Sequence, residues 1–336
     1  MSELGLTKNQ VITELTRSPH GELTEYIKTG RAIAEQDPEF AAHLIAWNAR
    51  NGQIRDSKVA LPVVTLSVPG FNGELSENSL AHLATLDPRN LLRAVRFAKQ
   101  LKIPAHGRAL RRVVEKYLRA REAKRGWWDA TTLQHRATMK ELYALNSVKP
   151  GGEYENTVLF GRTLDKTKAP LPRGSVFEAV ARLRTMSPVE AAGTIITRKI
   201  PFLVAVGALG ARMKETDLVL ALINQMSPTE LVNNTKMLER LGIKTVPALR
   251  GAYEEALRKA ASAKTSTFKA TRAAEAVEDE ALKEKLKGLQ EKQISALGGV
   301  EGNWLVLGDK SQSMTHAIDA AKTLANQMSL VKNEFR

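Results

Sequence analysis

The chain has 336 residues, of which 43% are hydrophobic, and a formal net charge of +14 at pH 7. This composition allows a buried core and predicts a positive surface that attracts polyanions, nucleic acid first and acidic membrane second. Cysteine is absent, which excludes disulfides and thiolate metal sites and fits a reducing compartment. No apolar stretch reaches the ~20 residues of a bilayer span. The N-terminal residues do not resemble a signal peptide. We therefore expect a cytoplasmic protein without a membrane partner.

Helix-start signals recur along the chain. Asp37 and Asp87 each precede a proline and then apolar residues at helical spacing, a pattern typical of an N-cap with proline at the first helical position. Two capping boxes begin at Ser187 and Ser227, 40 residues apart. A period near 40 favours a HEAT-like α-solenoid of helix pairs. The alternative is an irregular helical domain that uses the same cap twice.

Strand signals are nearly absent before residue 303, because short β-branched runs such as "VALPVVTLSV" are broken by proline. The glycine- and proline-rich segment 149–174 is predicted to be a connection or a contact loop that divides the helical region into halves. One charged helix is predicted from Phe268 to Ile294. The predicted fold class is all-α, with a helical-repeat domain over residues 1–299 and a short strand–helix segment over 300–336.

The densest positive segment, residues 106–128, predicts an amphipathic helix with an apolar face and a basic face. The apolar face carries Leu110, Val113, Val114 and Tyr117, and the basic face carries Arg108, Arg112 and Arg119. Eight Lys/Arg stand against two Glu between His106 and Arg125. A solvated helix face usually mixes both signs, so the imbalance favours contacts with phosphates.

Trp127 and Trp128 follow this helix, and a further basic stretch follows them. Unpaired bases stack on aromatic and guanidinium planes, so this combination suits single-stranded RNA, although one tryptophan of such a pair more often belongs to the core. The candidate RNA-binding residues are Arg108, Arg111, Arg112, Lys116, Arg119, Arg121, Lys124, Arg125, His135, Arg136, Lys140, Asn146 and Lys149.

Several stretches, in this order, resemble a known family. "GRALRRVVEKYL" followed by "RGWW" and "NSVKP", and later "MKETDLVLALINQMSPTELVNNTKMLERLG", resemble the TROVE domain of the Ro autoantigen and its bacterial Ro-like relatives. The strand and Asp-x-Ser-x-Ser-Met near residue 310 resemble the family's passage into a von Willebrand A domain. The match spans most of the chain.

The resemblance implies a closed ring of HEAT-like repeats that forms a ribonucleoprotein. Family members bind single-stranded 3′ ends of misfolded noncoding RNAs in the central hole and a Y RNA on the basic outer surface; an exoribonuclease is a candidate partner. By position, Arg108, Arg111 and Arg112 match the family's basic helix, and Lys124 and Arg125 match the basic residues before its Gly-Trp. Asn146 stands where the family has histidine.

The segment "WLVLGDKSQSM" resembles the first metal-ion loop of the A domain, with Asp309, Ser311 and Ser313 as ligands. Mg²⁺ requires a near-octahedral oxygen shell, and these three residues supply at most half of it. Lys310 adds a positive charge beside the carboxylate. We expect no cofactor in the isolated chain, and Mg²⁺ only if a second polypeptide completes the A domain.

The expected function is noncatalytic RNA binding of the Ro type, in RNA quality control or as an RNA scaffold. The alternative is a protein-interaction adaptor, which uses the solenoid and a split A domain and would be expected to expose an apolar groove. An enzyme is not expected, because the sequence has no phosphate-binding glycine loop, no HExxH and no recognisable triad.

Overall fold

The computed structural model describes residues 23–52, 54–102, 107–260 and 267–295. Over these residues the chain forms 17 α-helices, and the only β feature there is a single bridge between Arg162 and Lys168. The all-α prediction is therefore confirmed for this part of the chain. The chain divides into two compact units after Phe177. The predicted boundary at residue 300 and the strand–helix segment after it lie outside the described residues.

The first unit contains eight complete helices. They are α1 (Tyr26–Gln36), α2 (Pro38–Asn51), α3 (Arg55–Thr65), α4 (Glu74–Leu83), α5 (Pro88–Gln100), α6 (Gly107–Glu122), α7 (Arg125–Leu145) and α8 (Glu153–Phe160). A 3₁₀ turn, Leu23–Glu25, precedes α1, and α9 (Val176–Arg182) crosses the division between the units.

The two predicted proline-type helix starts are confirmed. The Asp37 carboxylate accepts the N–H of Phe40 at 2.9 Å, and the Asp87 carboxylate accepts the N–H groups of Arg89 and Asn90 at 3.0 and 3.2 Å. These bonds satisfy backbone donors that have no partner inside the helix.

Helices of the first unit pack on their next-but-one neighbours. Contacts join α1 with α3, α2 with α4, α3 with α5, α4 with α6, and α5 with α7. Helix α3 lies at the centre of this arrangement, and nearly every residue from Asp56 to Thr65 is buried. Its β-branched, proline-containing run is therefore a core helix with Pro62 inside it, and the buried Asp56 carboxylate pairs with Arg93 at 2.6 Å.

Segment 149–174 contains a helix, which corrects the prediction that it is only a connection or a contact loop. Helix α8 starts after Gly152, buries Thr157, Val158 and Leu159, and ends at Gly161. Gly161 has φ +67°, a left-handed conformation that glycine adopts without steric cost. Glycine and proline thus mark the ends of a short helix here.

The second unit, like the first, is helical where it is described. Its helices after α9 are α10 (Pro188–Thr197), α11 (Phe202–Leu209), α12 (Thr216–Gln225), α13 (Pro228–Asn233), α14 (Thr235–Leu238), α15 (Pro247–Ala260), α16 (Thr267–Ala276) and α17 (Glu280–Ser295). Both predicted capping boxes are confirmed, because the Ser187 and Ser227 hydroxyls accept the N–H of Glu190 and Glu230 and each glutamate accepts the serine N–H in return.

The single charged helix predicted from Phe268 to Ile294 is wrong, because the structure has two helices, α16 and α17, packed on each other. The break falls where Asp279 caps α17 by accepting the Leu282 N–H at 3.0 Å. The Glu239 carboxylate accepts the N–H groups of Glu278 and Asp279 at 3.1 and 2.9 Å. That acceptor lies about 40 residues earlier in the chain, so local periodicity did not reveal the break.

Candidate nucleic-acid interface

Helix α6 presents its apolar side to the core of the first unit and its basic side to solvent. Leu110, Val114, Tyr117 and Leu118 are buried, and Val113 is half-buried. These positions recur at helical spacing, so the predicted amphipathic division of this segment is confirmed.

Three cations of α6 form a line along its exposed side. Arg108, Arg112 and Lys116 are exposed, and none has an ion pair or hydrogen bond to another described residue. They are spaced four residues apart, so neighbouring cations lie about 6 Å apart along the helix axis. We call these three residues the cation line.

Arg111 and Arg119 lie beside the cation line but are already engaged. Arg111 donates to the carbonyl of Ser147 at 3.2 Å. Arg119, which the helical wheel groups with Arg108 and Arg112, pairs with Glu122 at 2.6 Å and donates to the carbonyl of Lys149 at 2.8 Å. These contacts make the Arg119 guanidinium less available to phosphates than the cation line.

Glu122 joins α6 to α7 and to the turn before α8. Its carboxylate accepts the Tyr143 hydroxyl at 2.7 Å and the Gly151 N–H at 2.8 Å, in addition to Arg119. Tyr143 in turn accepts the indole N–H of the buried Trp128 at 3.3 Å. Burial, together with the hydrogen bond to Glu122, raises the pKa of Tyr143. This network holds the basic helix in a fixed position on the core.

Arg121 does not belong to the exposed cations. Its side chain is buried, with its guanidinium 3.7 Å from the Tyr117 ring centroid and 4.1 Å from that of Trp127. Burial lowers the pKa of Arg121. Arg121 is therefore a candidate RNA-binding residue that the fold buries between two aromatic rings.

The start of α7 extends the positive surface. Lys124 is exposed and has no ion pair to a described residue. Arg125 is also exposed, but its Nη2 lies 3.3 Å from the buried carboxylate of Glu155 and its Cζ lies 3.6 Å from the Tyr154 ring centroid. The Tyr154 hydroxyl donates to Asp129 at 3.0 Å, and burial with this carboxylate nearby raises the pKa of Tyr154 to about 12.

The remaining candidates differ in how available they are to an RNA strand. Helix α7 bends at His135, which is half-buried, and burial lowers its pKa. Arg136 donates to the carbonyl of Val158, and Lys140 lies 5.6 Å from the Phe160 ring centroid. The Asn146 amide donates to the carbonyl of Leu142 at 2.8 Å, and Lys149 is exposed.

Sequence reasoning did not identify the two carboxylates that restrain the arginines, Glu122 and Glu155. The first was detectable, because Glu122 follows Arg119 by three residues, a spacing that brings side chains together on a helix. The second was not, because Glu155 lies in the segment that was expected to be a connection or loop.

Other site chemistry is limited within the described ranges. They contain no group of three side chains suited to a metal ion, and none of their helices is long and apolar enough to cross a bilayer. Asp309, Ser311 and Ser313 lie outside the described residues. What the first unit offers is a row of exposed positive charges on α6 and an exposed tryptophan, Trp127, near the start of α7.

Comparisons with protein-family models, with curated proteins and with solved structures find no match to this chain.

Proposed function

We propose that this chain is a noncatalytic RNA-binding protein of the Ro type, which binds single-stranded ends of noncoding or misfolded RNA and a Y-like RNA. The observation that carries the proposal is the cation line, Arg108, Arg112 and Lys116. These cations have no acidic partner among the described residues, and an unpaired basic row attracts phosphates, whose counterions are released on binding.

The packing of the first unit supports the architectural part of the proposal. Contacts between next-but-one helices, together with contacts between consecutive helices, are what the helical-repeat fold implied by the TROVE resemblance requires. The buried side of α6 packs on the core of this unit, which sets the direction in which the cation line faces.

The proposal is tested by comparing two triple variants. R108Q/R112Q/K116Q removes the cation line, and R198Q/K236Q/R240Q removes two arginines and one lysine that are exposed and unpaired among the described residues of the second unit. Both variants lose the same charge. Fluorescence anisotropy with a labelled single-stranded RNA, competed by a blunt duplex of equal length, measures affinity and strand preference.

We expect the cation-line variant to lose roughly tenfold or more in affinity, and the control variant to lose much less. Equal losses would mean that net charge alone attracts RNA and would contradict the proposed site. Equal competition by the duplex would contradict single-strand binding.

A second candidate function, a protein-interaction adaptor, is favoured by apolar side chains exposed on the second unit. Val189 and Ile196 of α10 are 75% and 51% exposed, and Leu203 of α11 is 68% exposed. Val189 and Ile196 are seven residues apart and share a helix face. The adaptor function predicts that V189Q/I196Q abolishes capture of a protein partner while RNA affinity is unchanged.

A further inference from the structure

Two consecutive tryptophans at the start of α7 have opposite environments. Trp128 is fully buried and makes edge contacts with Tyr154 and Phe177, whose ring centroids lie 5.8 and 6.0 Å from its own. Trp127 is 46% exposed. Since neighbouring helical residues point about 100° apart, burying Trp128 in the core turns Trp127 outward. Core packing therefore explains the position of Trp128 but not that of Trp127.

One face of the Trp127 indole is covered by a guanidinium. Arg121 lies between the rings of Tyr117 and Trp127, 3.7 and 4.1 Å from their centroids, with only 9% of its surface exposed. It has no salt bridge to a described residue, and its Nε has no hydrogen-bond partner among them. Burying an unpaired cation is costly, and the two aromatic faces offset part of that cost through cation–π attraction.

The stack fixes the orientation of the indole. Its inner face lies against Arg121, so the exposed part of Trp127 belongs to the outer face and the rim. An aromatic plane that is held in place before binding loses little conformational freedom when a flat ligand stacks on it. The outer face of Trp127 is therefore the exposed end of a stack that also contains Tyr117 and Arg121.

The surroundings of this surface are positive. Lys124, three residues before Trp127, is exposed and unpaired among the described residues, and Arg125 is exposed beside it. Tyr117 and Arg121 lie on the other side of α6 from the cation line, so the cations next to this surface are those at the start of α7. An unpaired base carries its own phosphates on either side, so an exposed aromatic ring that is followed and preceded by exposed cations in the chain suits single-stranded RNA.

We propose that the outer face of Trp127 is a stacking platform for one unpaired nucleobase of the bound RNA. This inference rests on the proposed RNA-binding function and adds a base contact to its phosphate contacts. Stacking uses the π-face that every base shares, so the platform accepts purines and pyrimidines. Arg121 acts as a positioning residue, because it is buried against the inner face of the indole.

The test compares two strands with four proteins. The strands are a single-stranded RNA oligonucleotide and an abasic oligonucleotide with the same backbone. The proteins are wild type, W127A, W127F and W47A. Trp47 is the matched control because it is 53% exposed in the same unit. Affinities are measured at two salt concentrations.

We expect W127A to lose roughly tenfold in affinity for RNA, within the range known for stacking on one aromatic side chain, and to bind the abasic strand as wild type does. W127F should recover most of the loss, and W47A should match wild type. The salt dependence should be unchanged in W127A, because no charge is removed.

Each contrary outcome has a distinct meaning. If W127A weakens both strands equally, Trp127 acts only through the fold and the platform is rejected. If W127A matches W47A while the cation-line variant loses affinity, the platform is rejected and RNA binding stands. If wild type binds neither strand at low salt, the proposed function itself fails.

Discussion

The side chain of Glu122 has the most partners among the groups around the basic helix. We expect E122Q to lower the free energy of unfolding by about 1–3 kcal/mol, because Arg119, Tyr143 and Gly151 lose a charged acceptor at a partly buried site. Urea denaturation measures this loss. The control is E141Q, which breaks the more exposed Arg96–Glu141 pair and should lower stability less than E122Q does. Equal losses in the free energy of unfolding would show that Glu122 stabilises the fold no more than an exposed glutamate does.

His82 makes stability depend on pH. Its ring is buried, its Nε2 donates to the carbonyl of Lys58 at 2.8 Å, and burial lowers its pKa below 6.5. The unfolded chain therefore binds a proton first as pH falls, so stability present above about pH 6.5 is lost below it. The loss is about 1.4 kcal/mol for each unit by which the pKa is lowered.

Thermal melting at pH 7.5 and pH 5.5 measures this effect. We expect the melting temperature of wild type to be lower at pH 5.5 than at pH 7.5. The decrease should be smaller in H82Q, because glutamine keeps a hydrogen-bond donor but does not titrate. H43Q, which changes an exposed histidine, should behave as wild type does. The same decrease in H82Q and wild type would place the pH dependence elsewhere.

At the scale of helices, the sequence predicted the helix starts that depend on contacts between residues close together in the chain. The caps at Asp37, Asp87, Ser187 and Ser227 were predictable because each hydroxyl or carboxylate bonds to an N–H two or three residues away. Helix α8 and the break before α17 were not, since α8 is short and glycine-bounded, and the break depends on the distant Glu239.

The capping boxes of the second unit should contribute measurably to stability. We expect S187A and S227A each to lower the free energy of unfolding by about 1 kcal/mol, because each leaves a first-turn N–H without its side-chain acceptor. The costs should add, since the boxes lie on different helices. T197A alters an exposed residue at the end of α10 and should change stability by less than about 0.5 kcal/mol. A similar loss in T197A would remove the special role of the caps.

At the scale of the whole molecule, the sequence likewise predicted the parts of the site that depend on local periodicity and not those that depend on distant neighbours. The helical wheel placed Arg108 and Arg112 on the outer side of α6 because periodicity alone decides which side is buried. It did not show that Arg119 is held by Glu122 and the turn after α7, or that Arg121 turns back between Tyr117 and Trp127. Those outcomes depend on which neighbouring groups the fold brings to each arginine.

The most direct test of RNA binding by the cation line is the slope of log affinity against log salt for a single-stranded RNA. Each phosphate contact on a single strand contributes about 0.7 to this slope. We predict that R108Q/R112Q/K116Q has a slope shallower than that of wild type by up to about 2, whereas R198Q/K236Q/R240Q keeps the wild-type slope. A cation-line variant with the full wild-type slope, or the same decrease in both variants, would contradict RNA binding by this helix.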